Sequence, residues 1–161
     1  MQKELNDITV STLKFFDIIK NISINGCSSI FVIILKNGYK NQLSLTDAQQ
    51  ILNNNSFKNN NLKRDFINVI HDNGYHLNIK DSDVYLVEAI SAIDGAVVLD
   101  PYLNIISFGE IITVPKGIVY NDTFGTGTKA ARYASRLGIA IKISEDGDIN
   151  LFINQKPMLK L

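Results

Sequence analysis

Residues 124–148, FGTGTKAARYASRLGIAIKISEDGD, decide how this chain is read. They open with Gly125-Thr126-Gly127-Thr128, continue into an alanine-rich segment of helical character, cross an isoleucine-rich strand and close in an acidic turn. That order predicts a phosphate cradle. Glycine lacks Cβ, so the backbone at Gly125 and Gly127 has access to positive φ and to close approach by a ligand, and the hydroxyls of Thr126 and Thr128 add donors. The helix that follows offers unpaired N–H groups and the positive end of its dipole. Lys129, Arg132 and Arg136 fall at i, i+3 and i+7, a stripe that predicts three cations flanking the anion, with Ala130, Ala131, Ala134 and Leu137 left to pack. The same residues are equally consistent with a Gly-Thr turn capping an ordinary amphipathic helix whose basic face is solvated.

Working outward, Ile139, Ile141 and Ile143 alternate with Ala140, Lys142 and Ser144, which predicts a strand with one apolar face, and Asp146-Gly147 turns the chain into a strand at 149–153. Upstream, 84–93 has helical periodicity, with Asp81, Ser82 or Asp83 as its cap, and Asp94-Gly95 stops it. AVVL at 96–99 and NIISF at 104–108 are two strands joined across Asp100-Pro101-Tyr102-Leu103, with Asp100 a turn residue, and 109–114 carries the chain on in extended form. Residues 2–22 read as one or two helices, ended by Asn25-Gly26. SIFVIIL at 29–35 is short, β-branched and continuously apolar, as a strand buried on both faces should be. A helix capped from Ser44-Leu45-Thr46-Asp47, a polar loop over 53–61 and a helix over 62–70 complete the chain. The sum is one α/β domain over 1–161, a central mixed β-sheet flanked by helices.

Composition narrows the function classes. The 161 residues suit a single domain, and 45% hydrophobic content supports a real core. Sixteen basic residues balance sixteen acidic ones, so no net field draws the chain to nucleic acid or to an anionic membrane. Cys27 is the one cysteine; this excludes an internal disulfide, and Cys27 is expected to be a buried structural residue. No secretory leader and no membrane-length apolar run is read, and the expectation is a cytoplasmic location. His71 and His76 flank Asn73-Gly74 without carboxylates at metal-site spacing and are expected on the surface. Tyr120 and Phe124 precede the cradle, where they would either cover a base or simply pack.

Asp94-Gly95-Ala96, then Phe108-Gly109, then a Gly-Thr loop before an alanine-rich helix, then Ser144-Glu145 at a strand end, resembles in order and spacing the diadenylate cyclase domain. The resemblance is clearest over 84–153, with 1–80 the helical and strand N-terminal part of the same domain. It implies the fold of that family and an adenine nucleotide or cyclic dinucleotide as partner. It implies that Asp94 sits by the ribose and a divalent metal, manganese or magnesium, as the catalytic residue if the chain is active. Gly95, Ala96, Gly125, Thr126, Gly127, Thr128, Lys129, Arg132, Ser144 and Glu145 are the nucleotide-binding residues it implies. An active cyclase would work as a homodimer of facing sites. The family's Arg-His-Arg is replaced by Gly127-Thr128-Lys129, which removes a guanidinium and an imidazole that meet the developing phosphate charge. The implied function is therefore a divergent sensor or regulatory module; the alternatives are an active cyclase and a non-binding interaction domain.

Overall fold

A six-stranded mixed sheet orders the molecule, with helices on both faces. The structure, a computed structural model, describes residues 2–35, 77–120 and 125–161. The expected helices and loop between 44 and 70, both histidines and Phe124 lie outside the described residues. The elements, in chain order, are α1 (Gln2–Ile24), β1 (Ser29–Ile34), α2 (Val84–Ser91), β2 (Ala96–Leu99), β3 (Ile105–Glu110), α3 (Thr126–Ala134), β4 (Gly138–Ile143), β5 (Ile149–Ile153) and β6 (Lys156–Lys160). Sheet order is β3-β2-β1-β4-β5-β6. Only β1 and β2 pair in parallel among the described strands; the other four pairings are antiparallel.

The N-terminal periodicity resolves into one helix. Phe15, Ile18, Ile19 and Ile22 recur at three- and four-residue spacing and are all buried against the sheet. Gly26 ends α1 in the left-handed region (φ 65°), with Cys27 N–H donating to Ile22 O at 3.1 Å and Gly26 N–H to Ser23 O at 3.2 Å. That pair of bonds is a Schellman cap. Cys27 follows it on the surface, so the expected burial of this thiol is corrected: the α1–β1 connection passes over the edge of the core. For α2, Asp83 is the cap, accepting from Tyr85 N–H at 2.8 Å and Leu86 N–H at 3.3 Å.

The core has two halves, divided by the sheet. One face packs Phe31, Val97, Leu99 and Ile141 against α1 and α2; the other packs Val32, Val98, Ala140 and Phe152 against Ala131, Ala134 and Leu137 of the α3 segment. Small residues on α3 let the helix lie close to the strands. The β4 expectation is corrected here, since Ala140 and Lys142 are buried as well as Ile141 and Ile143. β4 lies between β1 and β5, and helices cover both of its faces. β6, which sequence reading did not foresee, follows the two-residue turn Asn154-Gln155, both at positive φ (47° and 64°), the geometry that matches strand twist. As an exposed edge strand it carries Lys156, Pro157 and Lys160, residue types that discourage further pairing.

Phe31 is fully buried at the centre of β1 and meets Phe15 edge-on at 5.2 Å between ring centroids. Phe31→Ala is expected to lower unfolding free energy by about 3–5 kcal/mol, the range for truncating a buried aromatic. Urea denaturation of parent and variant checks this.

Candidate functional site

At the end of the sheet where β1 and β2 begin and β3 and β4 finish, a cleft of about 1000 Å³ opens between the strands and the start of α3. Three pieces far apart in sequence meet there. Asp94 and Gly95 come from the α2–β2 turn, Gly125, Thr126, Gly127, Thr128 and Lys129 from the start of α3, and Ser144, Glu145 and Asp146 from the β4–β5 turn. Ala96 lies just inside, fully buried in β2. Of the predicted binding residues, Ala96 and Arg132 do not line the cleft.

Each wall has a local cause. Gly95 (φ 111°) lets the α2–β2 turn lie on the end of β3: a Cβ there would stand 2.4 Å from the carbonyl carbon of Gly109. That approach sets Ala96 opposite Glu110 and brings Glu110, a residue 2% exposed whose carboxyl accepts from the Ser107 hydroxyl, into the cleft lining. In the β4–β5 turn, Asp148 N–H donates to Ser144 Oγ at 3.1 Å and Gly147 N–H to Ser144 O at 3.0 Å, leaving the Glu145 and Asp146 side chains exposed at the tip. The Ser23 hydroxyl donates to Gly147 O at 2.6 Å and anchors this turn on the end of α1. Ser144 and Glu145 are thus turn residues that also line the cleft.

The glycine-threonine stretch differs from its expected loop. α3 begins at Thr126, with Gly125 as its cap position at φ −63°, and neither Gly125 nor Gly127 adopts positive φ. Gly127 makes room for another side chain instead: a Cβ there would lie 3.0 Å from Cε and 3.6 Å from Nζ of Lys142. The expected cationic stripe divides as well. Lys129 stays at the cleft, whereas Arg132 Nε donates to Gln155 O at 2.7 Å with its guanidinium 4.5 Å above the Tyr120 ring, and Arg136 stands 5.4 Å over Tyr133. The helix ends at Ala134 and the tighter turn Ser135–Leu137 takes Arg136 out of register. Tyr120 does not line the cleft either; its hydroxyl meets Gln155 Oε1 at 3.1 Å, and burial raises its pKa.

Lys142 was not singled out by sequence reading, because alternation placed it on a polar strand face. It is 6% exposed, lines the cleft floor, and donates from Nζ to the Ser28 hydroxyl and, at 2.6 Å, to its neighbour's carbonyl, Ile143 O. Burial lowers its pKa, with Glu145 opposing that shift. No three His, Cys, Asp or Glu side chains gather as a metal cage among the described residues. Asp94 and Glu145 are both exposed, and Glu145 faces the Lys142 ammonium. Among the described residues four carboxylates line the cleft, Asp94, Glu110, Glu145 and Asp146, and no three of them gather to hold a divalent ion by themselves.

No protein-family model matches the chain, and no curated protein does. Among solved structures it is similar to DacA from Staphylococcus aureus, a diadenylate cyclase, at 14% identity and a TM-score of 0.59, over 98% of this chain and 88% of that one. It is similar also to a hypothetical membrane spanning protein from Bacillus cereus, at 18% identity and a TM-score of 0.58, over 91% of this chain and 61% of that one. The fold is diadenylate cyclase-like. Among the described residues no helix is long and apolar enough to cross a membrane.

A lysine with a lowered folded pKa binds fewer protons folded than unfolded, so stability rises with pH from that lowered value up to the ordinary value near 10.4. Tyr120, with its raised pKa, acts in the opposite sense at the alkaline end. The stability of the parent minus that of Lys142→Met is therefore expected to increase from about pH 7 to about pH 10, with the variant at least as stable at neutral pH. Guanidinium unfolding across that range measures the difference and cancels the tyrosine contribution.

Proposed function

We propose that the cleft binds a nucleotide and that the chain is a sensor or regulatory module, taking ATP or a cyclic dinucleotide. The observation that carries this reading is the convergence on one cleft of Asp94-Gly95, Gly125–Lys129 and Ser144-Glu145, the segments that match the family's motifs in order. Backbone N–H groups of the first turn of α3, the hydroxyls of Thr126 and Thr128 and the Lys129 ammonium are the phosphate ligands in this reading. The reading carries with it a cytoplasmic setting and no nucleic-acid or membrane partner.

A regulatory role is favoured over turnover by the kind of cation at hand. The cations that line the cleft among the described residues are lysines, while Arg132 and Arg136 sit on tyrosine rings. Ammonium groups hold phosphate as point charges and do not offer the bidentate contacts of a guanidinium to a transferring nucleotidyl group. The second reading is an active diadenylate cyclase with Asp94 as its catalytic residue, working as a homodimer; the position of Asp94 in the cleft favours it.

Isothermal titration of the full chain with ATP and with cyclic di-AMP is expected to show saturable binding below about 1 mM, a dissociation constant worth about 4 kcal/mol or more. Absence of heat with either ligand overturns the nucleotide reading. In parallel, incubation with ATP and manganese, magnesium or cobalt is expected to release no pyrophosphate; product that disappears in Asp94→Asn establishes the cyclase instead.

A further inference from the structure

The floor of the cleft carries a buried lysine, Lys142. Lys142 pairs across the sheet with Ile30, Ile30 with Ala96, and Ala96 with Glu110, so the four residues form one row on one face. Three strand spacings separate its ends, about 14 Å. Glu110 accepts from the Ser107 hydroxyl at the far end of that row, and Lys142 donates to Ser28 and Ile143 O at its own end.

An ammonium group has three protons to donate. Two are taken by Ser28 and Ile143 O, both neutral acceptors, and Lys142 makes no other hydrogen bond among the described residues. The third belongs to a side chain 6% exposed, beside the first turn of α3. A cation held so far from water, next to the positive end of a helix, is costly without an anion. Gly127 is what allows this placement, since any side chain there would press on Lys142 Cε. The exposed Glu145, at the cleft rim, is the described carboxylate whose field reaches Lys142, and it does not outweigh the effect of burial.

We propose that Lys142 supplies the charge that a divalent ion would otherwise bring, so that a phosphate-bearing ligand binds this cleft without metal. The proposal rests on the nucleotide reading above and extends it: Lys142 is a binding residue, and the ligand enters as the free polyanion. Lys129, half-exposed at the rim, adds to the attraction, but its charge is free to move with its side chain. Magnesium, by neutralising the phosphates, competes with Lys142 for the same oxygens.

The test is titration of the full chain with ATP, once in EDTA and once in magnesium chloride. Parent affinity is expected to be at least as high in EDTA as with magnesium, and Lys142→Met is expected to weaken binding in EDTA by about tenfold or more, as loss of a charge-assisted phosphate contact should. Gly127→Ala, which keeps the charge and displaces only the end of the side chain, is expected to weaken it by a smaller factor, with melting temperatures and circular dichroism confirming that both variants fold. Binding that appears only with magnesium, or a folded Lys142→Met that binds as the parent does in EDTA, overturns the proposal and leaves the nucleotide reading standing. No binding of ATP by the parent in either buffer overturns the proposal, and overturns the nucleotide reading as well when cyclic di-AMP also gives no heat. Should Lys142→Met fail to fold, unchanged affinity in Gly127→Ala overturns the proposal by itself.

Discussion

Strand β1 is hydrogen-bonded on both edges with opposite polarity, parallel to β2 and antiparallel to β4, and the rest of the architecture depends on that. Its six residues face two cores at once: Phe31 and Ile33 look toward α1 and α2, Val32 toward α3. A parallel partner requires a crossover connection, and a strand with helices on both faces must be apolar throughout. The second demand is met by SIFVII, in which only the terminal serine is polar, and that serine is buried with its hydroxyl donating to Ser91 O at 2.9 Å. The bond ties the start of β1 to the end of α2, at the edge of the cleft.

The position of the cleft follows from this polarity. In open parallel sheets ligands collect beyond the carboxyl ends of the strands. Here the cleft lies at the amino ends of the parallel pair, at Ser28-Ser29 and Asp94-Gly95, and at the carboxyl ends of their antiparallel neighbours, at Glu110 and Lys142. The reason is α3, which starts at this end and packs along the strands before the chain returns as β4. Positive helix end and buried ammonium are thereby brought to one place by topology, not by adjacency in sequence.

Elements whose signal is local were legible in the sequence. Continuous apolarity marks β1, the Asp83 carboxylate marks the start of α2, and Asp100 marks the β2–β3 connection, where it accepts from Tyr102 N–H at 2.8 Å and Asn104 N–H at 2.9 Å. What failed depends on neighbours. Gly and Thr are weak helix formers, so Thr126-Gly127-Thr128 reads as loop, and it is the packing of Ala131 and Ala134 on the sheet that draws those residues into α3. An alternating strand looks half-exposed whether it is central or at an edge, which hid Lys142. β6 has no apolar period to detect, because an edge strand with both faces in water needs none. Among the site residues, Asp94, Gly95, Ser144 and Glu145 carry local turn signals and were grouped by the family resemblance alone; they line one cleft, whereas Arg132 turns to the Gln155 carbonyl, a contact with no local signal.

The division of labour among the cations has a physical basis. A guanidinium is planar and weakly hydrated, so it stacks on aromatic rings and bonds carbonyls at little cost. Arg132 does both, bridging α3 to the β5–β6 turn, where Asn154 N–H and Gln155 N–H also reach Ser135. An arginine so engaged fixes the outer hairpin and leaves no guanidinium plane for the cleft. An ammonium is compact and keeps its water tightly, so stripping it, as at Lys142, stores an electrostatic demand that salt in solution screens poorly at that depth. With sixteen charges of each sign in the chain, the ammonium at the cleft floor comes from where one lysine is buried and not from the total.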